Sequence, residues 1–440
     1  MLSVLTPGRS RGLRRLALAF VFYSAAGCVA AFAQASVVKI APAGSGWKLT
    51  RNGQPYEVRG ISGFEHLDLA RKLGATTIRM WGIDKLESSV NGRPFLDHAH
   101  SLGLTVLVGI WVGHERHGFN YSNPSQVKSQ RDAVRAAVRK YKNHPAVLVW
   151  GLGNEMEDPR NAGGNVKVWQ ELEVLAKIIK EEDPNHPVCT VIAAATNAKV
   201  SSLMEHYPSI DILGVNAYAA AVGTGRTLAE VGWKKPFMLT EFGPLGHWEV
   251  GKTSWNAPLE PTSREKARRY LDTHQTVMKD GAGRCLGTFP FTWGQKQETT
   301  GTWYGMFLKT GEKLPTVDAM AFAWTGKWPA NRSPLIGNVT FPAFKQRVKA
   351  GSAQTARAEI SDPENDRWTA TWIVQSESTD RRTGGDKEAE PPAFPELTKK
   401  ASGNQVEFTA PSKPGAYRLF LYVRDGKGGA SADNFPFFVE

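Results

Sequence analysis

An unbroken apolar run that ends in a carboxylate constrains this chain more than any other feature. The segment Ala146-Val-Leu-Val-Trp-Gly-Leu-Gly-Asn-Glu155 is apolar and β-branched until an amide and a carboxylate replace the apolar side chains. Such a run is typical of a strand buried on both faces, as in a parallel sheet. A helical pattern follows over residues 166–182, so Glu155 is predicted where a strand enters a βα loop. In a (β/α)8 barrel this rim carries the catalytic groups.

A second segment has the same form. Residues 235–243 are an apolar strand that ends in Glu241 and is followed by a loop and a helix, and Glu241 lies 86 residues after Glu155. At roughly 30 residues per βαβ unit, this gap holds about three units. The strand ends of a closed barrel face each other across its mouth, so the two carboxylates are predicted to meet. Two facing carboxylates are the minimal equipment for glycoside hydrolysis.

The chain as a whole predicts an α/β protein, a (β/α)8 TIM barrel followed by a C-terminal all-β Ig-like sandwich. No Gly-rich phosphate loop follows the first strand, which argues against a nucleotide-binding version of the alternative fold, an open doubly wound sheet. Beyond a Pro-bearing linker the helical period disappears and short alternating strands remain. The predicted boundaries are 36–326 for the barrel, 327–336 for the linker and 337–440 for the sandwich. Within the sandwich, the charged and Pro-rich residues 376–395 predict a mobile loop.

Residues 1–33 predict a secretory signal peptide. A basic start, an apolar stretch and an A-x-A motif precede a cleavage site near Ala33-Gln34. The mature protein is therefore expected to be secreted or periplasmic, with no stable membrane span. An uncleaved membrane anchor and a lipidated Cys28 are the alternatives.

The net charge, the cysteines and the acidic residues indicate which kinds of partner, disulfide and metal site to expect. Removal of residues 1–33 lowers the net charge from +12 to +8, and the remaining basic residues are scattered, which favours a solvated surface over nucleic-acid binding. Cys189 and Cys285 are expected to be buried free thiols. No cofactor or metal is predicted, and the expected partner is an oligo- or polysaccharide. A calcium site in the C-terminal region is an alternative to ordinary turn roles for four acids, Asp362, Glu364, Asp366 and Asp425.

The strand ends resemble a known group of enzymes. Gly153-Asn154-Glu155 and Thr240-Glu241-Phe242-Gly243 resemble the clan A glycoside hydrolases. Within that clan, the hairpin around Asn52-Gly53, Ile78-Arg79 and the segment 143–147 resemble the family 2 catalytic barrel. Residues 215–218 are also similar to β-1,3-glucanosyltransferases, and the C-terminal region resembles Ig-like or cadherin-like modules of secreted enzymes. The β-sandwich that precedes the barrel in most family 2 enzymes is missing here.

This resemblance implies roles for individual residues. Glu155 would be the acid/base and Glu241 the nucleophile, while Asn154 would hydrogen-bond the sugar 2-hydroxyl. Arg79 and Tyr218 would contact Glu241 and keep it ionised and aimed, since a nearby cation favours a carboxylate. Other candidate substrate-binding residues are Trp293, as the floor under the reacting sugar, His114, Asn216 and Trp81. For Arg79, Tyr218, Trp293, His114 and Trp81 the alternative is an ordinary structural or loop role.

These observations predict a secreted retaining β-glycoside hydrolase that acts on a β-linked oligo- or polysaccharide, such as a β-glucan. It would work by double displacement through a covalent glycosyl-enzyme. One alternative is a β-glucan transglycosylase that uses the same two glutamates and passes the sugar to an acceptor bound near Trp81, Trp111 or Trp303. A second alternative, from another class, is a non-catalytic carbohydrate-binding envelope protein.

Overall fold

The computed structural model describes residues 35–157, 162–382, 385–398 and 401–440. The predicted signal peptide, its cleavage site and Cys28 lie outside the described residues. In the part of the chain that is described, no helix is both long enough and apolar enough to cross a bilayer.

Eight parallel strands, β1–β8, close into a barrel in which each strand pairs with its neighbours in sequence and β8 pairs with β1. This closure confirms the predicted barrel and excludes the open sheet. The strands are Val58–Ser62, Thr77–Arg79, Thr105–Ile110, Val147–Asn154, Val188–Ala193, Ile212–Asn216, Phe237–Phe242 and Cys285–Pro290.

The helices α1–α8 surround the barrel strands and are Leu67–Lys72, Phe95–Ser101, Pro124–Tyr141, Val166–Glu182, Asn197–His206, Thr224–Glu230, Ser263–Asp280 and Pro315–Thr325. At α3, α4, α5 and α7 the side chain of the residue before the helix accepts from backbone N–H groups that have no partner within the helix. Asn123 caps α3 in this way, and Thr262 and Glu265 form a capping box at α7. The helices pack apolar faces on the sheet; Trp169 and Leu172 of α4, for example, are fully buried.

Burial along β4 explains how its polar end reaches the rim. Every residue from Val147 to Gly153 is buried, and Asn154 is the first that is partly exposed. The thiols of Cys189 and Cys285 are buried and free, as predicted. An antiparallel sheet of Val38–Ala43, Gly46–Arg51 and Gln54–Pro55 lies at the opposite end of the barrel, where it bonds to the loops that precede β5 and β8.

The C-terminal region forms two antiparallel-based sheets, which confirms the predicted all-β part of the fold class. One sheet has three strands and the other has five, and they share a core that includes Trp372, Leu419 and Phe437. The strands β9–β16 are Leu335–Thr340, Arg347–Val348, Ala353–Ser361, Thr369–Ser376, Ala393–Phe394, Gln405–Thr409, Gly415–Arg424 and Ala430–Val439.

Buried polar groups connect this β domain to the barrel. Arg418 of β15 donates to the carbonyl of Pro258 at 2.7 Å, and Asp433 of β16 accepts from the backbone N–H of Ser263 at 2.7 Å. Glu260 receives a hydrogen bond from Asn434 of β16 at 2.6 Å. Because such groups are costly to bury without partners, the two parts of the chain are held in one arrangement.

Candidate active site

The ends of β4, β6 and β7 bring polar side chains to one level of the barrel rim. The strand register pairs Val191 with Asn154 and pairs Asn216 with Glu241. Glu155 follows β4 directly with a φ of 50°, and its N–H donates to the carbonyl of Val191 at 2.9 Å. The two predicted catalytic glutamates are thus brought to the same mouth.

Three donors surround the carboxylate of Glu241. Arg79 Nη1 lies 2.7 Å and Trp81 Nε1 2.9 Å from Oε1, and the Tyr218 hydroxyl lies 3.3 Å from Oε2. The contacts expected from Arg79 and Tyr218 are therefore present. Donors of this kind fix the orientation of a carboxylate. The Glu241 carboxylate is thus buried and held in one orientation at the rim.

Arg79 links three strands of the barrel. It is buried on β2, and besides Glu241 on β7 it donates through Nη2 to Asn154 Oδ1 on β4 at 2.6 Å. Its guanidinium also lies 4.9 Å from the ring centre of Trp81. Removing one partner of such a buried ion pair strongly destabilises a protein, because the other charge is left buried without a partner. Arg79 therefore sets the positions of both Glu241 and Asn154.

Asn216 holds Glu155. Its Nδ2 donates to Glu155 Oε1 at 2.7 Å and to Asn154 Oδ1 at 3.2 Å, and its Oδ1 accepts from the Thr240 hydroxyl at 2.8 Å. The Thr240 bond fixes which end of the amide faces Glu155. A continuous hydrogen-bond network therefore joins Glu155 to Glu241 through Asn216, Asn154 and Arg79.

The environment of Glu155 favours its protonated form. Burial and then the negative charge of Glu241 raise its pKa to about 7, against the opposing hydrogen bond from Asn216. At neutral pH a substantial fraction of this carboxyl therefore carries a proton. The rim thus holds one carboxyl that can donate a proton and one that is bound by a cation. Glycoside hydrolysis needs two carboxyl groups with different roles of this kind.

The structure corrects the expectation for Trp293. Its ring is 1% exposed and packs against Phe307 and Trp324 in the core, so it offers no face to a sugar. The ring of Phe291 instead packs edge to face against Trp81 and Tyr218, with distances between ring centres of 5.9 and 6.3 Å. The strand ends at Pro290, so the alternation of side chains that would predict the direction of residue 293 no longer applies.

His114 lies at the end of β3 beside the same network. Its side chain is 5% exposed, its ring is 5.0 Å from that of Trp111, and it hydrogen-bonds the backbone of Asn154. Burial lowers its pKa to about 4, so the imidazole is neutral at pH 7. Its Nε2 is buried without a hydrogen-bond partner.

Exposed aromatic rings lie in the loops that follow three barrel strands. They are Phe64 after β1, Trp111 after β3 and Trp248 after β7. Trp248 contacts Tyr218 edge to face at 5.6 Å, which places it next to a residue that touches Glu241. Flat apolar rings of this kind pack against the faces of sugar rings.

Sequence reasoning missed several neighbours of the glutamates. It did not assign Phe291 or Trp248 to the site, nor the indole donation of Trp81 to Glu241. Trp303, an expected acceptor contact, is instead buried and donates to the carbonyl of Leu245. In each case the contact joins residues that are far apart in the chain, and only the position of Trp81 at a predicted strand end hinted at it.

The described residues contain no group of three or more His, Cys, Asp or Glu side chains arranged to hold a metal ion. The acids considered for calcium have protein partners. Asp362 accepts from the N–H groups of Glu364 and Asp366, and Asp425 accepts from the N–H of Gly429. These bonds are those of turn-capping acids.

Residues 97–253 match the sequence profile of the glycosyl hydrolases family 2, TIM barrel domain. This match covers the segment that carries Glu155 and Glu241, and it confirms the predicted resemblance to the family 2 barrel. No protein of curated function matches the chain in sequence.

Solved structures share the fold at low identity. Bacteroides uniformis β-glucuronidase 2, covalently bound to cyclophellitol-6-carboxylate aziridine, is 15% identical with a TM-score of 0.50 and covers 92% of this chain and 48% of its own. The β-D-glucuronidase of Dictyoglomus thermophilum is 18% identical with a TM-score of 0.50 and covers 67% of this chain and 54% of its own. The chain thus spans about half the length of the solved structures it matches.

Proposed function

We propose that this chain is a secreted retaining β-glycoside hydrolase that cleaves a β-linked oligo- or polysaccharide, such as a β-glucan. The observation that carries the proposal is the pair of unlike carboxyls at one rim. Glu155 has a pKa raised to about 7, and Glu241 is held by Arg79, Trp81 and Tyr218. The family 2 match over the same segment and the two β-glucuronidases that share the fold support the same class of reaction.

The first step would be displacement at the anomeric carbon. Glu241 attacks this carbon and forms a glycosyl ester, while Glu155 gives its proton to the departing glycosidic oxygen. Asn154 accepts from Asn216, which holds Glu155, and from Arg79, which holds Glu241, and it would donate its amide hydrogen to the sugar 2-hydroxyl. Trp81, Tyr218 and Arg79 hold Glu241 at the angle of attack, so little reorganisation is needed at the moment of reaction.

The second step would return the nucleophile. Glu155, now ionised, removes a proton from water as the water oxygen attacks the anomeric carbon and the ester bond to Glu241 breaks. The sugar leaves with its original configuration because the carbon has been inverted twice. Retention requires the two carboxyl groups to lie about 5–5.5 Å apart.

The test is Glu241→Ala supplied with azide. We expect hydrolysis of an aryl β-glucoside to fall at least about 10³-fold, and azide to restore turnover with an α-glycosyl azide as product, because a small anion can occupy the vacated space. Glu181→Ala, an exposed carboxylate on α4, is the control and should behave like the wild type. Undiminished activity of Glu241→Ala, or a β-configured azide, would remove Glu241 from the role.

Transfer of the same intermediate to a second sugar is the alternative that the site also supports. Trp111 is 44% exposed at the rim, so an acceptor sugar could pack on its ring. Product sizes from a panel of β-linked polysaccharides separate the two reactions. Products longer than the substrate indicate transfer, and shortening alone indicates hydrolysis.

A further inference from the structure

A loop of the β domain lies against the rim of the barrel. This rim loop, residues 377–392, connects β12 to β13 and is described except for residues 383–384. Its sequence predicts a mobile solvent segment, but the Glu388 side chain within it is only 3% exposed. The reason is that the segment contacts the loop that follows β8.

Two hydrogen bonds fix the rim loop to the barrel. Glu388 Oε2 accepts from the backbone N–H of Thr299 at 2.6 Å, and Lys296 Nζ donates to the carbonyl of Gly385 at 2.6 Å. The same Lys296 Nζ lies 5.8 Å from the ring centre of Phe291, which belongs to the aromatic cluster around Glu241. The β domain is therefore bound by Lys296, and this same side chain lies next to the aromatic cluster of the candidate active site.

Asp386 lies between these two anchors and is directed toward the end of β3. Its Oδ2 is 3.9 Å from His117 Nε2. The ring of His117 is 5.6 Å from that of His114, which in turn is 5.0 Å from Trp111. Two imidazoles thus connect Asp386 to the backbone of Asn154, next to Glu155, and the indole of Trp111 lies beside His114.

The contact between Asp386 and His117 does not explain, by its contribution to stability, why Asp386 is placed here. Both side chains are substantially exposed, 54% for Asp386, and an exposed ion pair at this distance contributes little to stability. The carboxylate therefore remains free to accept hydrogen bonds from a ligand. The ring of Trp111, on the far side of His114, is 44% exposed and therefore open to solvent.

These groups are the ones that recognise a sugar: a carboxylate and an imidazole for its hydroxyls and an indole for its apolar face. We propose that Trp111, His117 and Asp386 form a subsite for a sugar unit adjacent to the one being cleaved, so that the β domain contributes a substrate-binding residue. This inference rests on the proposed function. It means that the preference for substrate length depends on a side chain outside the barrel.

The experiment compares Asp386→Ala with Asp386→Asn in the full-length protein. The substrates are an aryl β-glucoside, which fills only the reacting position and a leaving group, and β-gluco-oligosaccharides of increasing length. For Asp386→Ala we expect kcat/KM to fall about tenfold for the oligosaccharides, chiefly through KM, and to stay unchanged for the aryl glucoside. Asp386→Asn keeps an acceptor oxygen and should recover part of the loss. Glu390→Gln removes another exposed carboxylate of the rim loop, one that pairs with Lys309, and is the matched control.

Equal losses on both kinds of substrate, or no loss on either, would overturn the subsite. The two proposals fail separately. If the wild type hydrolyses β-gluco-oligosaccharides and Asp386→Ala shows no length-dependent loss, only the subsite fails. If the wild type turns over no substrate, the proposed function fails, and calorimetric affinity for the same oligosaccharides still judges the subsite. A Kd raised about tenfold by Asp386→Ala supports it, and an unchanged Kd or no binding rejects it.

Discussion

Glu155 and Glu241 have the same side chain but different surroundings at this rim. Glu155 is buried near a negative charge, and both conditions raise its pKa, to about 7. Glu241 faces a guanidinium, an indole N–H and a phenol. The negative charge of Glu241 is one of the causes of the raised pKa of Glu155, so the two side chains act as a pair.

The pH dependence of the reaction follows from this environment. In the proposed mechanism Glu155 must be protonated to act as the acid, so kcat/KM for an aryl β-glucoside is expected to fall as pH rises through about 7. Glu157 is a further negative charge that raises the pKa of Glu155. Glu157→Gln should therefore move the basic limb of the pH profile to lower pH, with the exposed Glu181→Gln as the unchanged control. A limb that moves to higher pH would contradict this assignment.

Arg79 should not be replaceable by lysine. Its two terminal nitrogens reach Glu241 and Asn154 at the same time, and a single ammonium cannot reproduce both bonds. We expect Arg79→Lys to lower kcat about 10²- to 10³-fold, as the loss of an aligned charge-stabilising donor does in other sites. Steady-state kinetics at the pH optimum measure this, with the exposed Arg71→Lys of α1 as the control. A change confined to KM would mean that Arg79 does not hold the nucleophile.

At the scale of the elements, β2 and β3 must approach closely for Trp81 to reach Glu241. Gly109 on β3 permits this, because a Cβ at this position would lie 2.2 Å from the carbonyl oxygen of Met80 and 2.4 Å from the carbonyl carbon of Trp81. These are backbone atoms, so the strands themselves would have to separate.

Gly109→Ala is therefore expected to destabilise the protein by about 1–3 kcal/mol and to lower kcat as Trp81 is displaced. Thermal unfolding and kcat on an aryl β-glucoside are the measurements. Gly223→Ala is a matched control, because no heavy atom lies within 4 Å of a Cβ there. An unchanged melting temperature together with full activity would show that β2 and β3 tolerate the added methyl group.

At the scale of the whole molecule, the β domain is docked through buried acids. Burial raises the pKa of Asp433 from 3.8 to about 6, although its Oδ1 accepts from the N–H of Ser263. When a carboxyl has a higher pKa in the folded state than in the unfolded state, the protein loses stability as pH rises from the unfolded-state pKa to the folded-state pKa. Above pH 6 the folded protein therefore carries the full cost of the buried charge, and below pH 3.8 it carries none.

Asp433→Asn should remove this cost. We expect the variant to be more stable than the wild type at pH 8, by at most about 3 kcal/mol, and equal to it near pH 4. Thermal unfolding at the two pH values measures the difference, with the exposed Asp272→Asn of α7 as the control. Destabilisation of Asp433→Asn at pH 8 would show instead that Lys266 stabilises the ionised carboxylate.

The barrel and its two glutamates could be predicted because both depend on local pattern. Apolar runs alternating with helical periods specify the strands, and a carboxylate at the end of a run, as in Glu155 and Glu241, must emerge at the rim. Two expectations drawn from position in a strand were also met, the buried thiols of Cys189 and Cys285.

The tertiary structure decided which side chains surround those glutamates. Trp81 reaches Glu241 across 160 residues of chain, and Phe291 lies at the site where Trp293 was expected. Asp386, from the C-terminal β region, lies beside His117 in the loop that follows β3. Such contacts depend on strand register, on where a strand ends and on how two domains dock. These are long-range properties with no local periodicity, so the amino-acid order alone specifies the two rim glutamates and the closed barrel but not the side chains that surround them.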